Sequence, residues 1–381
     1  MAAVGEDGCV SWVRRAGFSS PVYRRLHNSG NPPVPFSGEP SHRLCPSPAG
    51  GDGGVMQAGR EGEDRPHRLK EKARPWTRFF SYLMRKRRVH SVESLEEREE
   101  TRGPPRLYVG SRVSGGSLGG CDDFGVLYRG IYGDRPVAVK VITLPADGLL
   151  RVTLKIRFIR ETHFLTRLNH PNVIKMVAAG EILLDSWYIA TEYCHAGGSL
   201  RDLLCRSWNR PLDLRKLIAI ALNIARGMAH VHAEGIVHRN LTPENILVVD
   251  EESSCMTIID GFGGACEEGR SEPVDRSKWN APEMIKREPY DRKVDVYSFG
   301  LLLWEMQTGM VPFKSMTMDQ VVSDVVLQEM RPAVPAKCVS ALEWLIENCW
   351  AASPEERPQF SQIQNILERL QVAVTIAYEE G

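Results

Sequence analysis

The sequence has no excess of either charge, since 48 Lys and Arg residues balance 48 Asp and Glu residues over 381 positions. Proteins that bind nucleic acid usually carry a basic domain or a basic patch. The sequence also lacks an apolar run near the roughly 18 residues that a membrane-spanning helix requires. The apolar stretch at residues 217–222 is much shorter and indicates a buried helix. We therefore expect neither a nucleic-acid partner nor a transmembrane segment.

The nine cysteines show no CxxC pair and no other spacing typical of a metal site, and their number is odd. Reduced thiols in an intracellular protein are the expected consequence. The first residues, MAAVGED, contain neither the basic nor the apolar region of a secretory signal peptide. The sequence therefore predicts a cytoplasmic protein.

Six short motifs are present in one particular order over about 160 residues. In sequence order they are VAVK at 137–140, Glu161 in RET, HPNV at 170–173, FG at 262–263, APE at 281–283 and DVYSFG at 295–300. Each motif alone occurs by chance, but their common order is specific. In this order they resemble the protein kinase superfamily.

The later motifs resemble one branch of that superfamily more closely. MIKREPY at 284–290, RKVDVYSFG at 292–300 and LWE at 303–305 are similar to plant Raf-like Ser/Thr kinases of the tyrosine-kinase-like group. The resemblance implies an α+β, two-lobed kinase fold, with a small antiparallel β-sheet and helix αC in the N-lobe and a larger, mainly helical C-lobe. It also implies ATP and Mg²⁺ as cofactors.

The resemblance covers residues 105–372, which we predict to be the kinase-like domain. Its N-lobe spans about 105–192 and its C-lobe about 193–372, followed by a tail at 373–381. Residues 1–104 are rich in Gly, Pro, Ser and Arg and lack sustained apolar periodicity. We predict that this segment is largely disordered and carries only short motifs, such as SWVRR at 11–15 and WTRFF at 76–80.

The resemblance implies a nucleotide site in the cleft between the lobes. Lys140 would contact the α- and β-phosphates and pair with Glu161, and Val139 would lie beside the nucleotide. Thr191 would be the gatekeeper, followed by hinge residues that include Glu192 and Cys194.

The glycine-rich loop allows two alignments. In one, Gly120 and Gly125 are its first and third glycines and Asp122 replaces the middle one. In the other, the loop begins at Gly115 or Gly116 and contains an insertion. A carboxylate close to a triphosphate repels it, and an overlong loop covers it poorly, so both alignments predict weak ATP binding.

The sequence HRNLTPEN at 238–245 corresponds to the catalytic loop of the family. Asn240 replaces the aspartate that accepts the proton of the substrate hydroxyl, and Thr242 replaces a phosphate-contacting lysine. Asn245 remains at a magnesium-binding position. Because an amide cannot act as the general base, these replacements predict impaired catalysis.

The second magnesium-binding position is open to two interpretations. With Phe262 and Gly263 as anchors, the metal-binding aspartate has become Gly261, while an aspartate occurs one residue earlier at Asp260. A one-residue shift in an extended strand turns a side chain to the opposite face. Asp260 therefore reaches the cleft only if Gly261 forms a bulge, which glycine permits. Otherwise Asn245 is the only expected ligand for Mg²⁺.

Two further contacts follow from the resemblance and concern the fold rather than the chemistry. Glu283 should pair with Arg357 inside the C-lobe, and Asp295 should hold the backbone of the turn at residues 238–239. In the activation segment, residues 263–281, Arg276 replaces a threonine that contacts the catalytic aspartate in the family.

Two functions remain open from the sequence. The first is a pseudokinase that acts as a signalling scaffold or regulator and binds other signalling proteins, such as an active kinase. The alternative is an active ATP-dependent Ser/Thr kinase of a MAPKKK-like cascade that uses Asp260 for magnesium.

Overall fold

A computed structural model describes most of the kinase-like domain and a three-residue strand near the amino terminus. The described residues are 23–25, 106–112, 125–183, 185–194, 198–207, 210–249, 255–272 and 276–379. The predicted disorder of residues 1–104 therefore lies outside the described residues, except at 23–25. Gly120, Asp122 and the rest of the glycine-rich loop before Gly125 also lie outside them.

The N-lobe contains one antiparallel sheet of five strands, in the spatial order β2, β3, β4, β6, β5. The strands are β2 Leu107–Arg112, β3 Val126–Tyr132, β4 Arg135–Thr143, β5 Met176–Leu183 and β6 Ser186–Glu192. β-Branched residues favour extended backbone, and their alternation in β4 buries Val137 and Val139 on one face. That face forms a core cluster with residues such as Leu107, Tyr132 and Tyr188.

Helix α1, Gly148–Arg167, connects β4 to β5 and corresponds to the predicted αC. Asp147 caps its first turn by accepting hydrogen bonds from the backbone N–H groups of Leu149 and Leu150. Leu154, Phe158 and Leu165 lie on the buried side of the helix. Glu161 lies on the same side, because residues three or four positions apart share one face of a helix.

The C-lobe is built from helices around the buried α5. The helices are α2 Leu200–Arg206, α3 Leu214–Ala233, α4 Pro282–Lys286, α5 Lys293–Thr308, α6 Met318–Val321, α7 Ser340–Cys349 and α8 Phe360–Glu379. A π-helical segment, Val322–Leu327, follows α6. Almost every residue of α5 is buried, as expected of a helix that is apolar on all sides. Helix α8 packs along α3.

Three short antiparallel pairs complete the described structure. They are β7 Ile236–Val237 with β10 Cys266–Glu267, β8 Ile246–Val248 with β9 Thr257–Ile259, and β1 Tyr23–Arg25 with β11 Met330–Pro332. Single 3-10 turns occur at Pro243–Asn245, Phe262–Gly264 and Pro354–Glu356. The first two pairs bring the predicted catalytic loop and the start of the activation segment together.

The α+β two-lobed fold predicted from the sequence is confirmed. The sheet ends at Glu192, next to the predicted boundary between the lobes. The carboxyl-terminal end differs from the expectation, because α8 continues without a break past residue 372 to Glu379. Two contacts explain this continuation: Val374 is buried, and the guanidinium of Arg215 stacks on the Tyr378 ring at 3.7 Å.

Candidate functional site

Lys140 and Glu161 form the ion pair that the sequence predicted. The Nζ atom of Lys140 lies 3.2 Å from both carboxylate oxygens of Glu161. The Glu161 side chain is 4% exposed and that of Lys140 is 20% exposed, so the lysine faces the cleft. This pair joins the middle strand of the sheet to α1. The ammonium group of Lys140 is partly exposed, and its positive charge suits a phosphate group.

Val139 does not lie where the sequence interpretation placed it. Its side chain is fully buried in the N-lobe core cluster, together with Val137 and Tyr188. Side chains of successive strand residues point to opposite faces, so Val139 points away from the face that carries Lys140. Val139 is therefore a core residue and not a nucleotide contact.

Gly125 directly precedes β3 and packs closely against β4. A Cβ atom at this position would lie 2.8 Å from the carbonyl oxygen of Val141. Contact between two backbones therefore accounts for glycine here, independently of any phosphate.

The hinge follows the last residues of β6. Thr191 pairs with Ala138 across the sheet, and the N–H of Glu192 donates to the carbonyl of Lys175 at 3.0 Å. Cys194 is half-buried, and burial together with the nearby charges of Asp260 and Glu192 raises the pKa of its thiol to about 12. The hinge cysteine is thus a neutral thiol at physiological pH.

Asp295 holds the turn before the predicted catalytic loop, as expected. Its two carboxylate oxygens accept hydrogen bonds from the backbone N–H groups of His238 at 2.8 Å and Arg239 at 2.7 Å. His232 lies 2.9 Å from the same carboxylate. Burial alone would raise the pKa of Asp295, but the hydrogen bond and charge of His232 outweigh it and lower that pKa. The ionised carboxylate stabilises Arg239 at a φ of 66°.

The residues at the replaced catalytic positions are held by hydrogen bonds within the loop. Asn245 is 3% exposed and donates through Nδ2 to the carbonyl of Asn240 at 2.8 Å. Thr242 is also buried, and its carbonyl accepts the N–H of Asn245 at 3.0 Å. Asn240 is half-buried, and its Cβ lies 4.0 Å from the position that a Cβ on Gly264 would take. The loop keeps its shape without an aspartate or a lysine.

Gly261 packs directly against Asn245 and adopts a left-handed conformation with φ of 88°. A Cβ atom at Gly261 would lie 2.5 Å from Cγ and 2.7 Å from Oδ1 of Asn245. Real Cβ atoms essentially never show such short distances, so a side chain at position 261 would require the Asn245 side chain to shift. As the chain stands, Gly261 supplies no carboxylate, and the Asn245 side chain occupies the adjacent space.

Asp260 is half-buried, and its carboxylate is turned back onto its own backbone. Oδ1 accepts the N–H of Gly261 at 2.7 Å. The backbone of Asp260 is fixed as well. Its N–H donates to the backbone carbonyl of Asn245, and its own carbonyl contacts Nε2 of His238 at 2.9 Å.

Two side chains with oxygen donors lie at the expected magnesium position, and each has a contact within the chain. Proteins usually hold Mg²⁺ through one or two carboxylates together with substrate phosphates and water. Asn245 Oδ1 packs against Gly261, and Asp260 Oδ1 is already a hydrogen-bond acceptor. Within the described part of the chain, no group of three His, Cys, Asp or Glu side chains could hold a metal ion.

The activation segment is held by Arg239, whose role the sequence interpretation did not include. Its guanidinium donates to the carbonyls of Gly264 at 2.6 Å, Ala265 at 3.4 Å and Glu272 at 3.3 Å, and to the Tyr290 hydroxyl at 2.8 Å. The side chain is thus directed at main-chain carbonyls of the segment. These contacts fix both ends of residues 264–272.

Acidic side chains of the segment form further ion pairs that the sequence interpretation missed. Three carboxylates pair with arginines outside the segment: Glu267 with Arg167, Glu268 with Arg292 and Glu272 with Arg160. Arg160 and Arg167 both belong to α1, and their spacing of seven residues places them on one face of the helix. Two of the three pairs therefore connect the segment to the helix that carries Glu161. No local sequence pattern reveals them, because the partners lie 100 or more positions apart.

Arg357 and Glu283 form the predicted ion pair inside the C-lobe. The guanidinium lies 2.6 Å and 3.1 Å from the two carboxylate oxygens, and Arg357 is 1% exposed. Further along the segment, Arg276 is exposed, and Lys278 donates to the carbonyls of Phe313 and Met316.

A second buried charge network, also missed from the sequence, lies behind the catalytic loop. Arg201 on α2 contacts Glu305 on α5 and Glu244 in the loop. Glu305 is 1% exposed, and burial, which outweighs the attraction of Arg201, raises the pKa of its carboxyl to about 7. Glu244 and Glu305 are 43 and 104 positions from Arg201 along the chain, so no local pattern reveals the network.

Among the described helices, none is long and apolar enough to span a membrane.

Comparison with known proteins agrees with this geometry. Residues 116–367 match the family model for protein tyrosine and serine/threonine kinases. The serine/threonine/tyrosine-protein kinase HT1 of Arabidopsis thaliana is 37% identical over 297 residues, which cover 76% of this chain and 73% of HT1. The serine/threonine-protein kinase STY46 of the same plant is 32% identical over 279 residues, or 72% of this chain and 45% of STY46.

A human relative matches over a smaller share of its own length. Mitogen-activated protein kinase kinase kinase 11 is 33% identical over 289 residues, which cover 71% of this chain and 33% of that protein. The chain thus spans less than half the length of this relative and of STY46. By its family match and its two-lobed fold, the chain belongs to the protein tyrosine and serine/threonine kinase family, with plant Raf-like relatives of the tyrosine-kinase-like group.

Proposed function

We propose that this kinase-family protein is a catalytically impaired pseudokinase that acts as a scaffold or regulator in signalling. The observation that carries the proposal is Gly261, which has no carboxylate for a metal ion and packs directly on the Asn245 side chain. Asn240 also supports the proposal, because the loss of a general base lowers the reaction rate by a factor of about 10²–10⁴. Phosphoryl transfer depends on positioning and on the metal charge, so the two defects act on the same step.

Nucleotide binding is expected to survive in weak form. When bound, ATP would place its phosphates near Lys140, which Glu161 orients, and its adenine near the hinge at Thr191, Glu192 and Cys194. Because Gly261 supplies no carboxylate for a metal ion, this binding should depend little on Mg²⁺. The partners of the protein would be other signalling proteins in the cytoplasm, including an active kinase.

Thermal-shift titration with ATP tests this part of the proposal. A ligand at about 100 times its Kd stabilises the folded state by about 2.7 kcal/mol. We expect a small shift, similar with and without Mg²⁺ or Mn²⁺, that disappears in Lys140→Ala. Micromolar binding of ATP that requires Mg²⁺ would contradict the expectation that binding is weak and independent of the metal.

The alternative is an active Ser/Thr kinase of a MAPKKK-like cascade. It is favoured by the formed Lys140–Glu161 pair and by the half-buried carboxylate of Asp260 directly before Gly261. Asp260→Asn separates the two functions. Loss of Mg²⁺-dependent binding in this variant would support the active kinase, and unchanged binding supports the pseudokinase.

A further inference from the structure

A surface groove lies where α2 ends and α3 begins, and none of the residues that line it belongs to the candidate site. Its volume is about 480 Å³, which is enough for a few peptide side chains. Its floor is apolar, formed by Leu203 and Leu212, which are buried. The N–H of Leu212 donates to the carbonyl of Met306 on α5 at 3.0 Å, so the floor is fixed to the centre of the C-lobe.

The groove carries more positive than negative charge. Arg206, Arg210 and Lys216 line it, together with one carboxylate, Asp213. Arg206 and Arg210 are exposed, and Lys216 is half-exposed. Among the charged lining residues, the positive side chains exceed the negative ones by two.

The single carboxylate is used to cap a helix. Asp213 accepts hydrogen bonds from the N–H groups of Arg215 at 3.0 Å and Lys216 at 3.4 Å, at the start of the 20-residue helix α3. The partial positive charge of a helix amino terminus offsets a carboxylate in this position. Asp213 therefore opposes an anionic ligand less than its formal charge suggests.

We propose that this groove binds an acidic peptide segment of a partner protein, with two or more carboxylates and one apolar side chain. Arginine clusters recognise acidic motifs through charge-assisted hydrogen bonds. The apolar floor accounts for the single apolar side chain. The proposal goes beyond the proposed function, because docking at this groove does not depend on whether the cleft transfers phosphate.

Fluorescence anisotropy with the full-length chain tests the proposal. The probe is a labelled ten-residue peptide with one Leu among five Glu, and the comparison peptide has Gln in place of each Glu. We expect binding of the acidic peptide only, weakened about tenfold between 50 and 300 mM NaCl because exposed charges are screened. Arg206→Gln/Arg210→Gln and Arg206→Glu/Arg210→Glu should weaken binding about tenfold or more.

A matched control separates the groove from the charge of the whole protein. Lys314→Glu/Lys337→Glu changes the net charge by the same amount as the double Glu variant, at two exposed lysines outside the groove. We expect this control to bind within about threefold of the unmodified chain. Equal loss in both variants, no binding by the unmodified chain, or equally tight binding of a labelled oligothymidylate would overturn the proposal.

Discussion

At the scale of single residues, Gly261 has the largest chemical consequence. Its left-handed conformation suits glycine, and a Cβ atom there would force the Asn245 side chain to shift. A carboxylate restored at this position would therefore disturb the amide of Asn245.

Gly261→Ala should therefore destabilise the protein by about 2–4 kcal/mol in urea denaturation, combining backbone strain with a steric clash. Gly269→Ala is the matched control, because Gly269 has a similar φ of 82° but a Cβ there would contact nothing within 4 Å. We expect the control to lose about 1 kcal/mol from strain alone. Equal losses would show that Asn245 yields without cost.

Glu305 should make stability depend on pH. Its carboxyl has a pKa of about 7 in the folded protein, above the usual value of 4.5. The folded state therefore binds the proton more tightly, and this contribution to stability is present below pH 4.5 and lost as pH rises through 7. The loss is on the order of 3 kcal/mol for such a shift.

Glu305→Gln should remove this part of the pH dependence. Urea denaturation of both proteins at pH 5, 6, 7 and 8 measures the difference. We expect the free energy of unfolding of the unmodified chain to fall relative to the variant as pH rises. Parallel pH profiles would show that Glu305 is ionised throughout this range.

At the scale of elements, three ion pairs and one arginine connect the activation segment to α1 and the C-lobe. The pair of Arg160 and Glu272 is 2.7 Å long but partly exposed, with side-chain exposures of 26% and 36%. Such a pair contributes at most about 1 kcal/mol to global stability. Its effect should be local and concern the order of the segment.

Glu272→Gln should accelerate hydrogen exchange in residues 264–272 while the global free energy of unfolding changes by less than about 1 kcal/mol. Glu181→Gln, at an exposed glutamate on β5, is the control and should leave exchange in the segment unchanged. Unchanged exchange in Glu272→Gln would mean that the contacts of Arg239 alone hold the segment.

The sequence was sufficient for elements whose signals are local. VAVK at 137–140 lies in a strand whose residues alternate in burial, and its lysine forms an ion pair with Glu161 on the helix that follows. The same alternation places the Val139 side chain in the N-lobe core and not in the cleft. The VAVK motif alone does not reveal this. Pairs such as Arg167 with Glu267 are 100 residues apart, so only the folded chain reveals them. Whether Asp260 reaches the cleft depended on the backbone angles of Gly261, which a sequence does not specify.

At the scale of the whole molecule, the C-lobe depends on charges that are buried and paired. Glu283→Ala would leave the guanidinium of Arg357, which is 1% exposed, without its carboxylate. Removing one partner of a buried pair costs about 3–5 kcal/mol. We expect this loss in urea denaturation of Glu283→Ala.

Lys140→Ala is the corresponding control, because Lys140 lies in the N-lobe and is partly exposed. Lys140→Ala leaves the Glu161 carboxylate, whose side chain is 4% exposed, without its lysine, so we expect a loss of stability here as well. Because that loss arises in the N-lobe, capture of partner proteins should persist in Lys140→Ala but fail in Glu283→Ala. Release of partners by Lys140→Ala alone would mean that the cleft, and not the preserved C-lobe, carries the binding function.

Transfer of radiolabelled phosphate from ATP by the purified unmodified chain is the decisive test of the proposed loss of catalysis. The assay should include Mg²⁺ and Mn²⁺, a general protein substrate and the Lys140→Ala variant as control for contaminating kinases. We predict that neither the chain nor the substrate acquires label above the level of Lys140→Ala. Label that appears with the unmodified chain and is lost in Lys140→Ala would show that the protein is an active kinase.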